Sequence, residues 1–200
     1  YSGDYIAIVE VGADPDAYIH YALLRGASPV ALTLPTAPGP YEIRYQLGQD
    51  RRVLASIPFE VVGIDATLNV PAVAPAGSTV EVAWTGPNYP GDYISVSLPE
   101  AAPGDYINYT MPAAGSPSAL LLPTEPGTYE VRYVLGQDRS VLASAGLVVG
   151  EVAGSLSLPA TAPAGGRLEV AWTGPAYGGD YISVSQPEAE DGAYLEYAEV

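Results

Sequence analysis

The 200-residue chain has no cysteine and no lysine, and only one histidine, one methionine and one phenylalanine. Lack of cysteine removes disulfides, thiolate nucleophiles and zinc–thiolate sites together. It does not place the chain in a reducing compartment, because a repeat with an adequate apolar core needs no disulfide. With basic charge confined to arginine, 7 cations face 23 acidic residues and the net charge is −16. That balance argues against nucleic acid or an anionic membrane as partner, and it gives a surface that repels its own copies. No apolar run approaches the roughly 20 residues of a membrane span, so no membrane insertion is expected in this segment. No helical pattern extends beyond two turns.

What is present is repetition. Gly3-Asp4-Tyr5-Ile6, Gly91-Asp92-Tyr93-Ile94 and Gly179-Asp180-Tyr181-Ile182 are spaced by 93 − 5 = 88 and 181 − 93 = 88 residues. The same offset joins Tyr41-Glu42-Ile43-Arg44-Tyr45 to Tyr129-Glu130-Val131-Arg132-Tyr133, and Trp84-Thr85-Gly86-Pro87 to Trp172-Thr173-Gly174-Pro175. No insertion or deletion is needed. Residues 1–63 then form the C-terminal part of a first repeat, 64–151 a complete repeat, and 152–200 the N-terminal part of a third. The chain is expected to be a window cut from a longer array; the alternative is that partial units pair with those of neighbouring copies by strand exchange. An array of this kind points to structural or binding work before catalysis.

Within one unit the apolar period is two. Thr79–Trp84 alternates, with Val80, Val82 and Trp84 on one face, and further strands are predicted at 93–97, 106–110, 119–122, 129–135 and 141–149. The 20 prolines and 22 glycines punctuate these strands in a chain that is 48% apolar. About seven short strands per unit, with turns every eight to twelve residues, predict an all-β fold: tandem immunoglobulin-like antiparallel β-sandwiches with an 88-residue period. Glu125-Pro126-Gly127-Thr128-Tyr129-Glu130-Val131 is similar to the acidic-x-Gly-x-Tyr-x-Cys signature of immunoglobulin strand F, with Val131 at the cysteine position. Tyr129, and Tyr41 in the first copy, would be corner tyrosines bonded back to nearby backbone. Trp84 and Trp172 are expected in the core, although they precede the Gly-Asp-Tyr turn rather than follow it. Strand residues on either side of position 151 leave almost no linker, which predicts a stiff array.

No residue pattern supports catalysis. His20 is replaced by Asn108 and Glu196 in the other copies, so no repeated triad or histidine metal site can be built on it. No serine lies in a nucleophile elbow, and no phosphate-cradling glycine loop is present. No cofactor is expected. The candidate calcium ligands are Asp14 with Asp16, and Glu188 with Glu190 and Asp191. The middle copy has Ala102, Pro103 and Gly104 in the corresponding loop, so such a site is not built into every repeat. Asp4, Asp92 and Asp180 recur and are expected to accept backbone N–H bonds in a turn entering a strand. Glu42 with Arg44, and Glu130 with Arg132, share a sheet face and are expected to form cross-strand ion pairs. Sixteen tyrosines include the pairs Tyr18/Tyr21, Tyr106/Tyr109 and Tyr194/Tyr197. Their spacing predicts rings on opposite faces of a strand, one in the core and one exposed for a glycan or protein ligand. Asn108-Tyr109-Thr110 matches the glycosylation sequon, taken here as coincidental.

The segments around Trp84-Thr85-Gly86-Pro87, Gly91-Asp92-Tyr93-Ile94, Tyr129-Glu130, Arg132-Tyr133 and Leu135-Gly136 resemble a repeat of alphaproteobacterial envelope proteins that carry a von Willebrand factor A domain. This resemblance covers nearly the whole chain. A second resemblance is to SKICH-type immunoglobulin-like domains, through Asp92-Tyr93-Ile94-Ser95, Tyr41, Tyr45 and Phe59-Glu60-Val61. The first implies a secreted, cell-surface or periplasmic interaction module, and neither brings a catalytic residue. The expected function is thus a non-enzymatic structural or adhesive segment of a bacterial surface or envelope protein, serving spacing, presentation or filament assembly. Its partners would be neighbouring repeats or copies of itself. The alternative is a glycan- or protein-binding module using the tyrosines and acidic loops.

Overall fold

The computed structural model describes residues 3–26, 28–112 and 115–200. These form an all-β structure of sixteen strands with no α-helix among the described residues. The chain divides into two compact units, Tyr1–Asp65 and Ala66–Val200. A single border therefore falls near the expected end of the first repeat, and none falls after residue 151.

The first unit holds β1 (Tyr5–Glu10), β2 (His20–Leu23), β3 (Gly39–Gln46) and β4 (Val53–Val61), hydrogen-bonded in the order β2-β1-β3-β4. All pairings are antiparallel. In the second unit come β5 (Thr67–Asn69), β6 (Val73–Pro75), β7 (Thr79–Thr85), β8 (Tyr93–Ser97), β9 (Asn108–Thr110), β10 (Ser118–Leu121), β11 (Gly127–Val134) and β12 (Val141–Gly150). They make a five-stranded sheet, β6-β12-β11-β8-β9, and a three-stranded one, β10-β7-β5. Strand β6 joins β12 in parallel; the other ladders are antiparallel. The register repeats between the units: Tyr5 faces Gln46 as Tyr93 faces Val134, and Tyr41 faces Phe59 as Tyr129 faces Leu147.

The two sheets of residues 66–150 form a two-layer sandwich. Val80, Val82 and Leu120 of the smaller sheet pack with Ile94, Val96, Val131, Tyr133, Leu147 and Val149 of the larger. Alternation supplies this face, as in β7, where Val80 and Val82 turn inward between exposed neighbours. Each fully buried aliphatic chain contributes about 1.5–3 kcal/mol. The opposite face of the larger sheet is also covered, since Ser95 and Ser97 are buried there. The last part of the chain has β13 (Ser155–Ser157) paired with β14 (Ala171–Thr173), and β15 (Tyr181–Val184) paired with β16 (Glu196–Glu199). Leu156 faces Trp172 as Leu68 faces Trp84, and a Ser155–Thr173 hydroxyl bond stands where Thr67 bonds Thr85.

The strand predicted over 106–110 starts at Asn108; Tyr106 and Ile107 belong to the preceding loop. The Ile107 amide still bonds the Val96 carbonyl, so the loop enters the ladder gradually.

Candidate functional site

The recurring Gly-Asp-Tyr turn is one half of a clamp whose other half is the Leu-Gly-Gln-Asp-Arg hairpin. Asp92 is buried and accepts three hydrogen bonds: from the Tyr89 amide at 2.8 Å, the Gly136 amide at 2.9 Å and the Tyr133 hydroxyl at 3.0 Å. The Tyr133 hydroxyl in turn accepts from the Asn88 amide. In the first unit Asp4 accepts from the Gly48 amide at 3.1 Å and the Tyr45 hydroxyl at 3.2 Å. A Cβ on Gly136 would lie 2.3 Å from the Gly91 backbone, and one on Gly48 equally close to Gly3. Only glycine permits that approach. The Gly48 amide is the main reason the Asp4 carboxyl lies below its ordinary range, with burial acting in opposition. Burial pushes the Tyr133 phenol up to about 12. Asp180 in the third copy accepts from the Tyr177 amide. The recurring aspartates thus bind their own backbone.

Arg44 and Arg132 are buried, and their pairing differs from the cross-strand expectation. The Arg132 Nε donates to Glu130 Oε2 at 2.6 Å within one strand. Its remaining N–H groups donate to the carbonyls of Leu98, Pro99, Ala101 and Ala102. Arg44 likewise pairs with Glu42 and donates to the carbonyls of Ala13 and Asp14. The planar fork of arginine suits this convergent work, which a single ammonium could not perform. The arginine fastens the loop after β1 in the first unit and after β8 in the second over the outer sheet face, and in the first unit Gln46 adds a bond to the Pro15 carbonyl. The fixed Glu-x-Arg spacing in both copies was the available signal; the loop carbonyls it serves leave no mark in the sequence.

That loop delivers the tyrosines. Tyr93 and Tyr109 share the outer face, because Tyr109 faces Ser95 and Tyr93 lies two residues before it. Tyr106, at the loop's end, folds down onto both. Ring centroids are 5.7 Å apart for Tyr93–Tyr106, 6.0 Å for Tyr93–Tyr109 and 4.9 Å for Tyr106–Tyr109, all edge-to-face. Tyr5/Tyr18/Tyr21 and Tyr181/Tyr194/Tyr197 form matching clusters, with the closest pairs at 4.8 and 5.0 Å. The expected split of each Tyr-x-x-Tyr pair onto opposite faces is therefore corrected. Strand alternation does not apply across a residue that precedes the strand, and both rings of each pair remain exposed, Tyr106 at 48% and Tyr109 at 53%. Burial raises the Tyr93 phenol pKa, opposed by Arg139. The Arg139 side chain lies over Gly104, where a Cβ would be 2.6 Å from its Cδ.

Tyr129 and Tyr41 are buried and donate to the carbonyls of Glu125 and Ala37, each at 2.9 Å. Trp84 packs on the core beside Tyr133, ring centroids 5.7 Å apart, and its Nε1 donates to Ser118 Oγ at 3.0 Å. Trp172, expected in the core, is 38% exposed. A cleft of about 400 Å³ beside Trp172, Gly174 and Asp180 lies where Tyr133 fills the middle copy. A larger cleft of about 980 Å³ in the first unit is lined by Asp4, Leu23, Arg25 and Tyr45. Among the described residues, neither cleft brings a nucleophile and a base together.

Asp14 and Asp16 are exposed, Asp16 pairing with Arg51 at 3.3 Å, and Glu188, Glu190 and Asp191 are exposed as well. Among the described residues, no three acidic or histidine side chains converge as a metal site would require. His20 sits on β2 opposite Ile8. No protein-family model matches the chain, and no curated protein matches it.

Proposed function

We propose that this chain is a non-enzymatic segment of a bacterial surface or envelope protein, an array of immunoglobulin-like sandwiches that spaces and presents other domains. The observation that carries this reading is the reuse of one set of internal fasteners, Asp4/Asp92, Tyr41/Tyr129 and Arg44/Arg132, at an offset of 88 residues. Each copy invests its buried polar groups in holding itself together, where an enzyme would aim some of them at a substrate. Only four residues separate β12 from β13, Glu151 to Gly154, and a connection this short restrains hinge motion. The resemblance to envelope-protein repeats and the acidic, self-repelling surface agree with an extracellular or periplasmic location. Small-angle scattering on chains with increasing repeat number tests the reading. The maximum dimension should rise by one constant increment per repeat; a freely jointed growth law would end the spacer interpretation.

A second reading is favoured by one observation, the exposed tyrosine cluster present in every copy. On it, the array also binds a ligand along its length, and adhesion accompanies spacing.

A further inference from the structure

We infer that the tyrosine clusters are stacking sites for a neutral, pyranose-based polysaccharide. This rests on reading the clusters as binding surfaces and names their ligand. Tyr41, Tyr45, Tyr129 and Tyr133 each have a hydrogen-bonded hydroxyl inside the fold. Among the described residues, the hydroxyls of Tyr18, Tyr21, Tyr106, Tyr109, Tyr194 and Tyr197 have no protein partner, and all six rings are about half exposed. Ring-on-ring packing explains an aromatic residue at these positions but not two rings per copy left about half exposed.

The copies reinforce the distinction. Between the two tyrosines of a pair the residues run Ile-His, Ile-Asn and Leu-Glu, and after the second they run Ala-Leu, Thr-Met and Ala-Glu. The loop before them changes from Asp14-Pro15-Asp16-Ala17 to Ala102-Pro103-Gly104-Asp105 and Glu190-Asp191-Gly192-Ala193. Surface neighbours vary while both exposed rings stay.

Ring geometry selects among ligands. Rings in edge-to-face contact at 4.8–5.0 Å enclose no space, so an ammonium group has no cage to enter. A polyproline segment has no slot between them either. The outward faces remain, and the axial C–H face of a sugar ring fits against a single aromatic face. In the middle copy the exposed Asp105, directly before Tyr106, can accept bonds from sugar hydroxyls. With a net charge of −16, the surface repels uronate or sulfated chains and leaves neutral ones. Equivalent sites repeated along one chain turn weak single contacts into avidity for a polymer.

The test is affinity electrophoresis of the full chain in native gels containing β-glucan, galactomannan, xylan or polygalacturonate. At least one neutral polymer should retard the chain. Replacing all six exposed tyrosines by alanine should raise the apparent dissociation constant at least tenfold, and replacing one pair, Y106A with Y109A, a few-fold. A six-phenylalanine variant keeps the ring faces and should stay within about threefold of the parent, which controls for loss of fold in the alanine variant. No retardation by any neutral polymer, or equal retardation of the six-alanine variant, overturns the inference. Retardation by polygalacturonate alone, or tyrosine-dependent self-association in sedimentation velocity, also overturns it, while leaving the clusters as binding surfaces for another partner. Absence of every one of these effects removes that underlying reading too.

Discussion

Trp84 and Trp172 share one local sequence and one strand register, yet their surroundings differ. Trp84 rests against Tyr133 and donates to Ser118, whereas Trp172 stands 38% exposed beside an open cleft. Local ladders form in both places: Leu156 pairs with Trp172 as Leu68 pairs with Trp84. The difference lies in β10 and β11, which supply the serine and the tyrosine from 34 and 49 residues further on (118 − 84 and 133 − 84). Short-range pairing sets the strands of this repeat, and the long-range closing strands convert them into a core. Residues at the front of a unit should therefore matter most where such long-range contacts are made.

The aspartates give the largest expected contrast. Asp92 satisfies three donors in a buried turn, while among the described residues the Asp180 carboxylate accepts from the Tyr177 amide. Asp92→Ala should destabilise the middle copy by about 3 kcal/mol, because the buried amide and hydroxyl donors lose their acceptor. Asp180→Ala should cost less than about 1 kcal/mol. Urea unfolding followed through Trp84 in a Trp172→Phe background, and through Trp172 in a Trp84→Phe background, reports each copy separately. Equal losses would show that the turn holds itself without the hairpin.

The tryptophans themselves come next. Trp84→Leu should cost about 2 kcal/mol, the loss of a half-buried ring with its indole bond. Trp172→Leu should stay within about 0.5 kcal/mol, as for other exposed positions. Acrylamide should quench Trp172 several-fold more strongly than Trp84, measured in the two single-tryptophan backgrounds. Similar quenching would mean that Trp172 is covered in solution and would erase the comparison.

These contrasts mark where sequence reasoning reaches and where it stops. The 88-residue offset, the alternating strands and the turn chemistry of Gly-Asp-Tyr are local properties, and the residues display them. Corner tyrosines are legible for the same reason, since the Tyr129 hydroxyl reaches a carbonyl only four residues back. The partners of Arg132 were not legible, because backbone carbonyls of any loop look alike in sequence. Ring placement at Tyr106 also escaped: the alternation rule holds only inside a strand, and β9 starts two residues later. The contacts that cover Trp84 come from Ser118 and Tyr133, far along the chain, which no local pattern can reveal. The tyrosine clusters were visible as a spacing but not as a three-ring patch, since Tyr93 joins from another strand.

The mildest perturbation is pH, and it separates the two units by the sign of their response. Burial raises the Tyr133 phenol from 10.0 to about 12 in the folded state, so the unfolded chain gives up this proton first. The stabilisation tied to the neutral phenol is complete below about pH 10 and disappears as pH rises through about 12. Tyr133→Phe should thus narrow its stability gap from the parent across that window, with Trp84 fluorescence as the reporter. A gap that stays constant with pH would show that the buried phenol is not what titrates. In the first unit the sign reverses at the acid end. The Gly48 amide lowers the Asp4 carboxyl, and its contribution is present above the unfolded value of 3.8 and lost as pH falls through the lower folded one. Acid should weaken the first unit through Asp4, and Asp4→Asn should abolish that part of the response while leaving the alkaline limb of the middle copy unchanged.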